Sequence, residues 1–176
     1  MLFRLAPLIF VLLWATGFIG AKLGAPHAEP FTFLSIRFLA VIPLMLVIAL
    51  AWRAAWPGVG EAVHGMISGA LIHGVYLGAV FWSIDNGMSA GAAALIVSLQ
   101  PVTTALLAAP FLGERLAARH WLGLVIGLAG VAMVLLPRTD LSAPGITGIT
   151  VTACVIGLLS ITIGTIYQKR FGTATD

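Results

Sequence analysis

Long apolar runs, broken by short clusters of polar and turn-forming residues, repeat along nearly the whole chain. Six such runs stand out, at Leu5–Leu23, Thr32–Ala51, Met66–Ile84, Met88–Leu112, His120–Leu136 and Ile146–Tyr167. A helix that crosses a bilayer needs roughly 20 mainly apolar residues, and every run lies in or near the range of about 17–25. The pattern predicts an all-α integral membrane fold with six transmembrane helices and no room for a sizeable soluble domain. The links are short, so consecutive helices are expected as antiparallel hairpins. Asp85–Asn86–Gly87 has turn chemistry. The longest link, Trp52–Gly65, carries Trp52 and Trp56, which suit an interfacial belt, and Pro57–Gly58, which break a helix. Pro137 and Pro144 bracket the link that holds Arg138 and Asp140.

Composition sharpens this reading. Hydrophobic residues make up 60% of the 176 and charged residues 9%, with a mean hydropathy of +1.09. Soluble domains carry about 25% charged residues, so this chain has too little polar surface for one. The excess of basic residues forms no patch, which argues against a nucleic-acid partner. Cys154, the single cysteine, lies inside the sixth run and belongs to no redox or metal motif. Arg4 before an apolar run resembles a secretory leader, but the run is long and no A-x-A site precedes Lys22, so the first run is expected to be a retained helix. With the N-terminus inside, the inner side holds Arg4, Arg53, Arg115, Arg119, Lys169 and Arg170, against Lys22 and Arg138 outside. Six basic residues against two predict that both termini are cytoplasmic and that the chain lies in the plasma (inner) membrane.

Twenty glycines would weaken soluble helices, each by about 1 kcal/mol relative to alanine. In lipid they allow close backbone approach. Gly65-x-x-x-Gly69, Gly74-x-x-x-Gly78 and Gly123-x-x-x-Gly127 have small-xxx-small spacing. The fifth run adds Gly130, and its glycine face is expected to pack helices together.

Polar side chains at membrane depth are costly and so become candidates for function. Trp14, His73, Tyr76 and Gln100 fall near the midplane, with Thr16, Ser98, Thr103 and Thr104 within about a turn. His73 and Tyr76, three apart, are expected to share one helix face. A polar cavity needs such a ring, yet each member also has a structural reading. Thr103 and Thr104 suit hydrogen bonds to carbonyls one turn back, Trp14 suits packing, and His73 suits an interhelical bond. Arg37, the one cation away from the end of a run, sits about 9 Å from the outer end of its helix. That is within reach of outer headgroups, and equally suited to attracting an anionic solute inward.

The fourth run is the most informative. Pro101 near its middle removes a backbone bond and crowds the Val97 carbonyl. Freed carbonyls at this depth need protein or a watery cavity, and interrupted spans point to transporter binding sites. A kink that only shapes packing is the plainer alternative. No carboxylate lies at mid-depth: Glu29, Glu61, Asp85, Glu114, Asp140 and Asp176 are all at span ends or in links. His73 is the one mid-membrane group that titrates near neutral pH.

The stretch from Ala94 through Ser98-Leu-Gln-Pro-Val-Thr-Thr to Gly113-Glu-Arg, continuing through Trp121-Leu-Gly to Gly130-Val, resembles the EamA domain of the drug/metabolite transporter superfamily. Trp14-Ala-Thr-Gly-Phe and Arg37-Phe share the resemblance, which covers about residues 5–136 as one five-helix repeat. The family typically has ten spans in two such repeats. Because five is odd, the second copy is inverted, and residues 146–167 would be the first helix of an incomplete second repeat. Four helices of that repeat are absent, so a full pathway would need a longer chain, a second half-chain or a homodimer. The resemblance implies a secondary transporter that exports small metabolites, amino-acid-like compounds or drugs by alternating access. No phosphate-binding loop for ATP drive occurs, and no cofactor is expected. A membrane enzyme is disfavoured because His27, His64, His73 and His120 lack ligand spacing. A non-transporting membrane assembly protein, or an inactive fragment, is the alternative.

The expected solute surface comprises Trp14, Arg37, His73, Tyr76, Gln100 and Pro101. Trp14 and Tyr76 would be aromatic walls and Gln100 a hydrogen-bonding group; Arg37 would attract anions and Pro101 set the kink. Glu114 and Arg115, with Arg119 nearby, are expected to form a structural or gate pair, since a carboxylate at a helix C-terminus opposes the dipole. Membrane lipid and a small-molecule solute are the expected partners.

Overall fold

The computed structural model describes residues 5, 8, 9, 11, 12, 16, 20, 23, 24, 28–113, 117–138, 140 and 142–172. Among these residues the regular structure is entirely helical. The described members of the first run, Leu5–Leu23, are themselves helical, as is Gly24 after it.

Helix α1 is Pro30–Ala51, with Pro30 at its first position, where a missing N–H costs nothing. It closes with Arg53 in the left-handed region (φ 50°), while Ala54 N–H reaches the Ala49 carbonyl and Arg53 N–H that of Leu50. Such paired bonds satisfy the orphan carbonyls of a helix end. The third span then runs as α2 (Val59–Gly69), a π-helical turn (Ala70–Val75) and α3 (Tyr76–Asp85). Glu61 accepts from Gly58 N–H at 2.9 Å to cap its start. Gly87, at φ +92°, turns the chain into α4 (Ala90–Val97), which Ser89 caps by accepting from Ala92 N–H. After a two-residue turn come α5 (Gln100–Leu112), α6 (Ala118–Leu135) with a short 3₁₀ turn at Leu136–Arg138, and α7 (Gly148–Phe171).

Four of these helical stretches, Pro30–Ala51, Val59–Asp85, Ala90–Ala108 and Gly148–Phe171, are long and apolar enough to cross a bilayer. The apolar stretch Ala118–Met133 of α6 is shorter. The chain is thus an all-α membrane protein.

The last span is the hub. Half of α7's apolar window is buried, whereas α1 buries little beyond Pro30 and Leu34. Along α7, Gly157 and Gly164 lie against the third span. A Cβ on Gly157 would sit 3.3 Å from the Tyr76 carbonyl oxygen, and one on Gly164 would sit 2.7 Å from Ile72 Cγ1. Around this seam Tyr76, Val80, Met88, Ala93, Cys154 and Ile161 form the core. A smaller cluster joins α1 to α3 through Leu34 and Phe81, with Phe33 stacked on Phe81 at 5.9 Å.

The glycine motifs behave otherwise than expected. Gly65, Gly69, Gly74, Gly123, Gly127 and Gly130 all face open space, and only Gly78 of those motifs has a close neighbour, Phe31. Spacing alone supplies a smooth face; packing requires a helix opposite it. In this chain that helix is α7, and it brings its own glycines.

Candidate functional site

Two spans lose regular α-helical geometry, and α7 bonds to both spans. In the third span the backbone widens into the π-turn Ala70–Val75 with no proline to cause it; Gly69 precedes the turn and Gly74 lies within it. Such turns inside α-helices are rare and frequently mark functional sites. The Leu71 carbonyl accepts from Tyr76 N–H and also from Ser160 Oγ of α7, at 2.9 Å. A carbonyl has two lone pairs, so both bonds are accommodated.

In the fourth span the helix stops at Val97 and resumes at Gln100. Pro101 cannot donate to the Val97 carbonyl, as expected from sequence. Ser98 Oγ donates to the Leu95 carbonyl at 2.6 Å. Thr103 Oγ1 lies 3.0 Å from the Gln100 carbonyl, so the bond back along its own helix forms. The same oxygen lies 3.0 Å from Thr162 Oγ1 of α7. Ser160 and Thr162, both buried, therefore present hydroxyls to the two interrupted spans. Neither was singled out by sequence reasoning; the usable signal was the polar Ser160-x-Thr162 pair in the middle of an otherwise apolar span.

The expected solute residues divide. His73 lies in the π-turn with an exposed side chain, edge-on to Phe38 at 6.0 Å and within electrostatic reach of Arg37. Arg37 is itself exposed on α1. Tyr76 is 2% exposed and packs beside Gly157. The shared face of His73 and Tyr76 does not form. In an α-helix residues three apart lie about 60° apart, and the wider π-turn between them sends Tyr76 into the core and His73 outward. Gln100 is half-buried at the start of α5, beside exposed Pro101. Trp14, Glu114 and Arg115 lie outside the described residues.

A second polar constellation sits at the other end of α2. His64 Nδ1 and Tyr167 Oη are 2.7 Å apart across 103 residues of chain. The His64 ring stacks on Phe171 at 5.1 Å with planes 7° apart, and the Tyr167 ring lies 4.7 Å from that of Phe171. A cavity of about 420 Å³ beside it is lined by Trp56, Glu61, His64, Ser68 and Gln168. Among the described residues no group of three or more His, Cys, Asp or Glu side chains is arranged to hold a metal ion.

In the link before α7, Asp140 Oδ1 accepts from Ser142 Oγ (2.6 Å) and Ser142 N–H (2.9 Å). These bonds hold the carboxyl below its ordinary range, the side-chain bond first.

The chain is similar over 94% of its length to an uncharacterized transporter of Bacillus subtilis, YvbV, at 27% identity, and covers 53% of that protein. It is 26% identical to YedA, an uncharacterized inner membrane transporter of Escherichia coli, over 90% of this chain and 50% of that one. A probable amino-acid metabolite efflux pump of Salmonella typhimurium is 24% identical over 93% of this chain and 52% of its own. The chain thus spans about half the length of the curated relatives it matches. No solved structure matches it. Residues 4–136, most of the chain and all of the interrupted third and fourth spans, match a single family: this membrane protein belongs to the EamA-like transporter family.

Proposed function

We propose that this chain forms one half of a secondary transporter that exports small metabolites, amino-acid-like compounds or drugs by alternating access. The observation that carries the reading is the pair of interrupted spans: the π-turn at Ala70–Val75, where Ser160 of α7 bonds the Leu71 carbonyl, and the break at Ser98–Leu99, just beyond which Thr103 meets Thr162 of α7. Irregular backbone at membrane depth is tolerated where protein or a water-filled cavity satisfies it. Interrupted spans are also where transporters bind their cargo. The amino-acid metabolite efflux named for one relative supports the solute class and the outward direction.

In this reading the exposed face carrying Arg37 and His73 lines the pathway, because two such polar groups are costly against lipid. Gln100 and Trp14 contribute to the same surface, and Pro101 fixes the break. Tyr76 acts from behind, holding the π-turn against α7. Residues 5–136 form the first five-helix repeat and 146–167 begin an inverted second one. A second half-chain, a second copy or a longer polypeptide completes the pathway. Both termini lie in the cytoplasm of a plasma-membrane protein, as the six-to-two distribution of basic residues suggests.

The open glycine face of Gly123, Gly127 and Gly130 favours a second reading, a membrane assembly protein that does not transport. Crosslinking and a flux assay on one proteoliposome preparation separate the two. Flux of an amino-acid-like solute supports the transporter; assembly without flux supports the alternative.

A further inference from the structure

Where α5 and α7 both end, an apolar groove of about 240 Å³ lies between them. Leu107 and Phe111 form the α5 wall, Ile163, Ile166, Tyr167 and Phe171 the α7 wall, and Arg170 completes the lining. Arg170 is held in place: its Nη1 donates to the Phe111 carbonyl at 3.1 Å, and its guanidinium lies 5.5 Å from the centre of the Phe171 ring. The bond to Phe111 uses one of five N–H donors. Arg170 belongs to the last turn of a 24-residue apolar helix. At 1.5 Å per residue the helix is about 36 Å long, more than the roughly 30 Å hydrocarbon core, which puts its last turn at headgroup depth. Lys169 shares the turn, and Arg119 lies in the first turn of α6 at the same end of the bundle.

We propose that this groove binds an anionic glycerophospholipid of the adjoining leaflet, with an acyl chain along the apolar walls and the phosphate on Arg170. The groove matches the amphipathic axis of a lipid, apolar within the span and cationic at headgroup level. Basic clefts between membrane helices bind acidic headgroups in this way. A zwitterionic lipid brings the same chain but no net negative charge, so the preference follows the headgroup. One arginine near an anionic surface corresponds to about a fivefold gain in binding. The site is independent of the transport reading.

Native mass spectrometry of the purified chain, with phosphatidylglycerol and phosphatidylcholine of identical acyl chains, tests this. Phosphatidylglycerol is expected to be retained about fivefold more than phosphatidylcholine. Arg170→Gln should bring the two near parity, and Arg170→Lys should keep part of the preference. Leu107→Trp, which fills the groove, should lower retention of both lipids; if circular dichroism shows that variant unfolded, Ile163→Phe serves the same arm. Equal retention of the two lipids by the unsubstituted chain overturns the proposal, as does a preference unaltered in Arg170→Gln. Displacement of the lipid by inorganic phosphate at matched concentration also overturns it, since the groove would then read phosphate alone.

Discussion

Ser160 donates its hydroxyl to the Leu71 carbonyl across 89 residues of sequence, tying the middle of the last span to the π-turn of the third. The bond gives the Leu71 carbonyl a second partner beside Tyr76 N–H and satisfies the Ser160 hydroxyl at membrane depth, where an unpaired polar group is costly. It also ties α7 to the place where the winding of the third span changes from α to π.

Ser160→Ala should lower the stability of the detergent-solubilised protein by about 1 kcal/mol, within the range measured for interhelical hydrogen bonds in membranes. Ser160→Thr, which keeps the hydroxyl, should recover part of that. Thermal unfolding followed by circular dichroism reads both.

Gly164→Ala should destabilise by about 1–3 kcal/mol, because its Cβ would lie 2.7 Å from Ile72 Cγ1 and 3.0 Å from Leu71 Cβ. Gly127→Ala faces open space and should be neutral or stabilising by up to about 1 kcal/mol through helix propensity. Equal effects at the two sites would contradict the placement of α7 against the third span.

The contrast between those glycines shows what could be read from the sequence. Four of the six span positions followed from apolar length, and the break near Pro101 from a ring that cannot donate. The π-turn has no such signature, because glycines at 69 and 74 permit it without requiring it. Ser160, Thr162, Gly157 and Gly164 matter through what lies opposite them, and a nearly uniform apolar helix does not reveal which face meets a neighbour. For the same reason His73 and Tyr76 looked like one face, while an altered winding between them sends them apart. Arg37 and His73, distant in sequence, were legible only as costly polar groups and not as neighbours.

Tyr167→Phe keeps the ring on Phe171 but removes the partner of His64 Nδ1, now 2.7 Å away. It should lower stability by about 0.5–1.5 kcal/mol. His64→Leu loses the bond and the stacking and should cost more. If thermal melts show no change in either variant, the His64–Tyr167–Phe171 cluster does not join α2 to α7.

Ser142 holds Asp140 deprotonated below the usual carboxylate range. A carboxyl whose folded pKa is depressed stabilises the fold above its unfolded pKa, and this is lost as pH falls through the folded value. The Asp140–Ser142 turn should therefore persist through neutral and mildly acidic solution and loosen only on the acid side of that range. Ser142→Ala should raise the Asp140 pKa, as followed by carboxyl carbon chemical shifts in a pH titration. An unmoved titration would show that Ser142 is not the cause.

If the interrupted spans and the Arg37–His73 face form a solute pathway, flux must depend on Arg37 and His73. The most direct measurement is flux of labelled amino-acid-like solutes into proteoliposomes, run on this chain and on a full-length family member. Saturable flux through the full-length protein is predicted, falling by about tenfold or more when the residues matching Arg37 and His73 are replaced by leucine. Flux that survives both replacements unchanged, or no flux of any solute tested, would exclude a solute pathway along this face.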